Sequence, residues 1–376
     1  MTDSHKQIFE WLRFMVARGA SDLFITAGFP PAIKLDGKVS PIAKQSLTPS
    51  ETLEFAKAVM TEKQRIEFIA TKEANFAVHD HEIGRFRVNA FVQQGRTGLV
   101  FRLINTVIPK LESLHLPPIL RDICMMPRGL VLLAGSTGSG KSTSLAAMIG
   151  YRNAIASEHI ITVEDPIEFV HQHGKCIITQ REIGSDSDSW EVALKNTLRQ
   201  APDIIMIGEI RDRETMEYAL SYAETGHLCM STVHANNGNQ TLDRILSFFP
   251  RDRRDQLLLD LSLNLRAIVS QRLVPRTDGK GRIPAAEVML NSPLISDLIM
   301  KGRLDEIKDI MVRSRDLGMQ SFDQSLYDLN NIGIISPEDA LRNADSFNDL
   351  RLKIKLHAKE ERGESPLSGL DHLDIV

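Results

Sequence analysis

Apolar positions at the start of the chain repeat with a helical spacing. Ile8, Trp11, Leu12, Met15 and Val16 fall at i, i+3, i+4, i+7 and i+8, which predicts an amphipathic helix ending at Gly19. Short strand-like runs follow at 22–26, 32–35 and 86–92, with an Asp36-Gly37 turn after the second. Between them, 49–69 reads as one helix capped by Thr48, with Leu53, Phe55, Ala56, Val59 and Met60 facing inward. From Arg128 the pattern changes. The segments 130–134, 160–163, 204–207 and 228–233 are short and almost wholly apolar, and helix-length stretches separate them. Parallel strands covered on both faces read this way. Arg276-Thr-Asp-Gly-Lys-Gly281 predicts a hairpin turn, and beyond Pro284 the chain reads as mostly helical.

These elements predict an α/β protein with a small α+β domain at 1–105 and a three-proline linker at 106–118. A second domain follows at 119–358, with a mostly helical C-terminal part. The tail 359–376 holds five acids against two bases among Gly, Ser and Pro, a composition expected to be disordered.

Composition narrows the function classes. The 376 residues are 42% hydrophobic and 25% charged, enough to bury a sizeable core. Lys plus Arg is 45 and Asp plus Glu is 49, a net charge of −4 that argues against whole-surface binding of nucleic acid. Cys124, Cys176 and Cys229 lie about fifty residues apart, which excludes a disulfide scaffold and a four-cysteine zinc site. No apolar run approaches the ~18 residues of a membrane span, and no signal core follows the N-terminus, so a cytoplasmic location is expected.

Chemistry concentrates in a few segments. Gly135-Ser136-Thr137-Gly138-Ser139-Gly140-Lys141-Ser142, followed by Thr143, is a complete G-x-x-x-x-G-K-[ST] loop between a strand and a helix. Its glycines let backbone N–H groups surround ATP phosphates at a helix N-terminus, Lys141 neutralises the β- and γ-phosphates, and the Ser142 hydroxyl binds Mg²⁺. Glu209 ends the apolar run 204–207 that Asp203 precedes, and is expected to support Mg²⁺ or orient water. Glu164, with Asp165 and Glu168 behind it, ends another apolar run, and a carboxylate there can act as general base. His227 and His234 flank a further strand, as γ-phosphate sensors or as structural histidines. Arg85, Arg87 and Arg102 are either solvated or ion-paired, or arginine fingers for a neighbouring subunit. The pairs His79/His81 and His171/His173 lack an evident third metal ligand.

Taken in order, these segments resemble the secretion-superfamily hexameric ATPases, and among them the PilT/PilU-type retraction ATPases of type IV pili. Gly84-Arg-Phe-Arg-Val-Asn-Ala-Phe91 is similar to the family's arginine motif, 135–143 to its Walker A, 162–169 to its acidic box, 201–212 to its Walker B and 225–236 to its histidine box. The resemblance implies a PAS-like N-terminal domain and a RecA-like ATPase domain assembled as a homohexamer. It assigns Glu164 as catalytic base, Glu209 as the Walker B carboxylate, His227 and His234 as the histidine pair, and Arg85, Arg87 and Arg102 as contacts to an adjacent subunit's nucleotide. ATP and Mg²⁺ are its implied ligands; a PilT-like paralogue and an inner-membrane platform protein are its implied partners. The ring would sit in the cytoplasm against that membrane. Phe24 stands where the family commonly has histidine, and Ser136 replaces a loop proline. Where PilT proteins carry Ala-Ile-Arg-Asn-Leu-Ile, this chain has Leu294-Ile-Ser-Asp-Leu-Ile299, nearer the PilU branch, and Asp297 is expected to reverse the local charge. Two readings stay open: a retraction motor, alone or dependent on a PilT-like partner, and a catalytically weak adaptor ring docked on such a motor.

Overall fold

The computed structural model describes residues 3–35, 37–104 and 107–361. Two compact units divide the chain. The first comprises Met1–Val107 with Ile167–His171 and Glu182–Asp188; the second comprises Ile108–Pro166, Gln172–Arg181 and Ser189–Val376.

The first unit is built on a six-stranded antiparallel sheet. Its strands are β1 (Asp22–Thr26), β2 (Ala32–Leu35), β3 (Lys38–Pro41), β4 (Glu73–Asp80), β5 (Gly84–Gln93) and β6 (Arg96–Ile104), in the order β3-β2-β1-β6-β5-β4. Alternation divides β5 cleanly: Phe86, Val88 and Ala90 are buried, while Arg85, Arg87 and Asn89 lie on the other face. Ile8, Leu12 and Met15 of the helix Asp3–Ala17 complete that core. The single helix expected over 49–69 is two helices, Pro49–Val59 and Glu62–Thr71. Met60 adopts an extended conformation, and Thr61 then starts the second helix with a capping box. Its hydroxyl accepts from the Gln64 N–H, while Gln64 Oε1 accepts from the Thr61 N–H at 2.9 Å. Side-chain bonding thus ends one helix and opens the next despite continuous apolar spacing. Asp36 of the expected turn lies outside the described residues.

The second unit holds a seven-stranded sheet. Its strands are β7 (Gly129–Ala134), β8 (His159–Glu164), β9 (Ile177–Glu182), β10 (Ile204–Ile207), β11 (Leu228–Val233), β12 (Leu265–Pro275) and β13 (Arg282–Leu290), in the order β13-β12-β7-β11-β10-β8-β9. Strands β12, β7, β11, β10 and β8 run parallel, and every residue of β7, β10 and β11 is buried. The expected hairpin turn joins β12 to β13, with Pro275 opposite Arg282. Strand β13 continues through Pro284, which an edge strand accommodates because the missing N–H faces away from the ladder. Helices dominate only beyond Leu290.

Within 106–118, Leu111 is buried in the core of the second unit. The last described helix, Phe347–Glu361, runs past the expected start of the tail at 359, and 362–376 lie outside the described residues.

Candidate active site

The phosphate loop follows the end of β7, and Lys141 opens the helix Lys141–Ile155. Glycine is required where the loop turns hardest. At Gly135, with φ +156°, a Cβ would lie 2.3 Å from Ser139 Oγ and 2.8 Å from the Gln271 carbonyl oxygen. Gly140, at φ +92°, caps the helix in the left-handed region. The helix therefore begins at the loop, with its unsatisfied N–H groups available to an anion. Lys141 is buried and donates to the carbonyl oxygens of Gly135 at 2.8 Å and Ser136 at 2.9 Å. Ser142 and Thr143 are half-buried in the first turn. A cavity of about 250 Å³ adjoins the loop, lined by Ser136, Thr137, Gly138, Gln271, Arg272 and Asn343.

Four neighbouring parallel strands end on the same edge of the sheet. The loop leaves β7, His234 follows β11, Glu209 follows β10 and Glu164 closes β8. This is the edge where open parallel sheets bind ligands. Glu209 and His234 are brought together: His234 Nε2 lies 3.1 Å from Glu209 Oε2, and Arg211 pairs with Oε1. Partial burial, followed by the charges of Lys141, Arg211 and Arg244, holds the His234 ring below the ordinary histidine range. Those cations and the partial burial disfavour the charged ring, while the adjacent Glu209 carboxylate supplies its hydrogen-bond partner. Glu164 is 6% exposed, and its Oε1 accepts from Thr162 Oγ1 at 2.6 Å and Gln180 Nε2 at 3.2 Å.

His227 lies elsewhere. It precedes β11, and its carbonyl accepts from the N–H of Gly129 at the start of β7. Six residues of strand, roughly 16 Å at ~3.3 Å per residue, separate that end from the phosphate loop. Its Nδ1 faces Thr225 Oγ1 and the Tyr222 carbonyl at 3.1 and 3.3 Å. His227 therefore does not share the strand edge of its own chain's phosphate loop. Asp203 likewise sits at the start of β10 and accepts from the His159 N–H at 2.8 Å. Asp165 and Glu168 are exposed.

All three arginines belong to the first unit. Arg85 donates to Glu182 Oε2 at 2.8 Å, an oxygen that also accepts from the Ile167 N–H at 3.2 Å. Arg102 is paired with the buried Asp22 at 2.7 Å. Arg87 stands opposite Arg102 in the β5–β6 register. Sequence reasoning missed Thr162, Gln180, Arg211, Gln271 and Glu182. Thr162 alone left a readable signal, because it precedes Glu164 by two positions and so shares its strand face.

The chain matches the family profile described as "Type II/IV secretion system protein" over residues 8–317. It is 59% identical over 350 residues to the type IV pilus ATPase PilU of Pseudomonas aeruginosa, covering 93% of this chain and 92% of that one. Identity to the type IV pilus retraction ATPase PilT of the same organism is 40% over 337 residues, covering 90% and 98%. Among solved structures, the pilus retraction motor PilT with bound ADP aligns with a TM-score of 0.86 at 40% identity, over 92% of this chain and 98% of that one. The order of motifs, the shared strand edge and these matches agree that the chain belongs to the type II/IV secretion system protein family, alongside the pilus ATPases PilU and PilT.

Proposed function

We propose that this chain is the subunit of a cytoplasmic, homohexameric ATPase that powers type IV pilus retraction while docked on an inner-membrane platform protein and a PilT-like paralogue. The observation that carries the reading is the convergence of the phosphate loop, His234, Glu209 and Glu164 on one edge of four adjacent parallel strands. The likeness to PilU and PilT supplies the pilus context. In this reading the first unit is PAS-like and the second RecA-like.

Each side chain has a distinct task. Lys141 neutralises the β- and γ-phosphates, Glu164 receives a proton from the attacking water, and His234 senses the γ-phosphate beside Glu209. The donor set fits Mg²⁺: the Ser142 hydroxyl and Glu209 carboxylate are hard oxygen donors. Among the described residues no cluster of three His, Cys, Asp or Glu side chains forms a metal site, and water and nucleotide oxygens would complete the set. Both Glu209 oxygens are already engaged, which suits support through water. The ion would offset charge on the phosphates. Arg87 and Arg102, opposite one another on one sheet face, are retained as contacts to an adjacent subunit's nucleotide.

The segment expected to reverse charge carries its acid in an exposed pair. Asp297 is paired with Lys301 at 2.7 Å, and Ser296 donates to the Ser262 carbonyl. The likeness to the ATPases PilU and PilT puts the motor reading ahead of the adaptor ring. The test is to express wild-type and Lys141→Ala alleles in a deletion strain, measuring pilus retraction together with ATP turnover of the purified proteins. Wild type should restore retraction and hydrolyse ATP, and Lys141→Ala should do neither. Equal retraction by both alleles would overturn the motor reading in favour of the adaptor.

A further inference from the structure

A carboxylate used as a base must present one oxygen to water in a fixed direction. Its terminal torsion is intrinsically broad and roughly two-fold, so the direction has to come from neighbours. Three residues supply it at Glu164. Thr162, fully buried two positions earlier on β8, places its hydroxyl 2.6 Å from Glu164 Oε1. Gln180, on edge strand β9, brings its amide to 3.2 Å from the same oxygen. Gly208 closes the side toward β10, where an added Cβ would lie 3.3 Å from Glu164 Cα and 3.6 Å from its Cγ.

We propose that Thr162 and Gln180 are positioning residues for hydrolysis: by anchoring Oε1 they set the plane and reach of the Glu164 carboxylate toward the attacking water. This rests on the reading of Glu164 as general base. In the step they serve, a water lone pair forms the bond to the γ-phosphorus. The bond from that phosphorus to the β–γ bridging oxygen breaks, its electron pair leaving on ADP. The water proton passes to Glu164, which releases it to solvent before the next turnover. A base works only within about 2.6–3.2 Å of the proton it takes. A displacement of about 1 Å in such a site costs on the order of 10²-fold in rate. Both anchors are neutral, so they orient the carboxylate without adding a cation to compete with Lys141 for the phosphates.

The experiment compares two substitutions of opposite kind at one position. Thr162→Val keeps the shape and removes the hydroxyl; Thr162→Ser keeps the hydroxyl and removes a methyl. Purified full-length variants are assayed for kcat and KM for ATP, and for affinity toward a fluorescent ATP analogue. Positioning requires Thr162→Val to lose about tenfold or more in kcat, with KM and affinity near wild type, and Thr162→Ser to restore most of the rate. A packing role predicts the reverse order and would overturn the inference. Gln180→Ala, on the sheet edge, repeats the measurement if Thr162→Val does not fold, and should again lower kcat at unchanged affinity. Glu164→Gln separates the two levels. Wild-type turnover in Glu164→Gln refutes the base reading itself. A dead Glu164→Gln beside a fully active Thr162→Val and Gln180→Ala refutes only the positioning. In the Glu164→Gln background, Thr162→Val should add no further loss.

Discussion

Two neighbouring strands end in glutamates held in opposite ways. At the end of β8, Glu164 is buried, and the bonds that orient it come from an alcohol and an amide. Just beyond β10, Glu209 keeps 15% of its side chain exposed, faces the guanidinium of Arg211 and lies 3.1 Å from His234 Nε2. Neutral donors at short range fix the direction of a carboxylate oxygen. A cation at an exposed position cancels charge but holds geometry loosely and is screened by salt. The contrast suits two tasks: a base needs direction, whereas a carboxylate that supports a metal ion through water needs charge that can be shared.

The sharpest way to break this contrast is to neutralise each glutamate in turn. Glu164→Gln should lower turnover by ~10²-fold or more with ATP still bound. Glu209→Gln should lower turnover as well, but with a raised Mg²⁺ requirement, read from rate against Mg²⁺ concentration. Equal Mg²⁺ dependence in the two variants would erase the distinction. Arg211→Ala is expected to cost only about threefold at moderate salt, since exposed pairs contribute ~0–1 kcal/mol. A loss as large as that of Thr162→Val would mean that the cation sets geometry after all. Another buried glutamate supplies a test of stability rather than of rate. Glu287 on β13 is pushed up to about 7 by burial, despite accepting from the Gly238 N–H at 2.6 Å. Between an ordinary value of 4.5 and about 7 the folded chain binds the proton that the unfolded chain has released. Stability contributed by this group therefore falls as pH rises through that window, by a few kcal/mol at most at ~1.4 kcal/mol per pH unit. Glu287→Gln should flatten the drop in thermal midpoint between pH 5 and 8; an unchanged slope would assign the drop to other groups.

Legibility followed how local the cause was. Ile204–Ile207 and Leu228–Val233 agree residue for residue with the expected runs, because complete burial leaves continuous apolar sequence. Strand β9 went unread: Ile-Ile-Thr-Gln-Arg-Glu on a sheet edge shows neither alternation nor an apolar run. Gln180 was missed with it. The phosphate loop was readable because its chemistry is contiguous. The partners of Arg85 and Arg102 lie 97 and 80 residues away and left no trace. His227 and His234 looked alike as residues, yet one precedes β11 and the other follows it. Only strand ends of the second kind line the crevice of a parallel sheet, a distinction the sequence already contained.

Strand β12 gives the phosphate loop and the C-terminal helices a common mechanical part. Gln271 packs its backbone and side chain beneath Gly135 and Gly140. The next residue, Arg272, stacks 3.9 Å over the Phe322 ring and binds the Asn236 carbonyl and the Asp345 carboxylate. The two residues are consecutive on β12, where pairing with Ala286 and Ala285 of β13 holds the backbone between them. The helical C-terminal part thus shares one strand with the floor of the phosphate loop. Phe322 and Asp345, remote in sequence from the phosphate loop, stand one guanidinium away from the residue that follows Gln271.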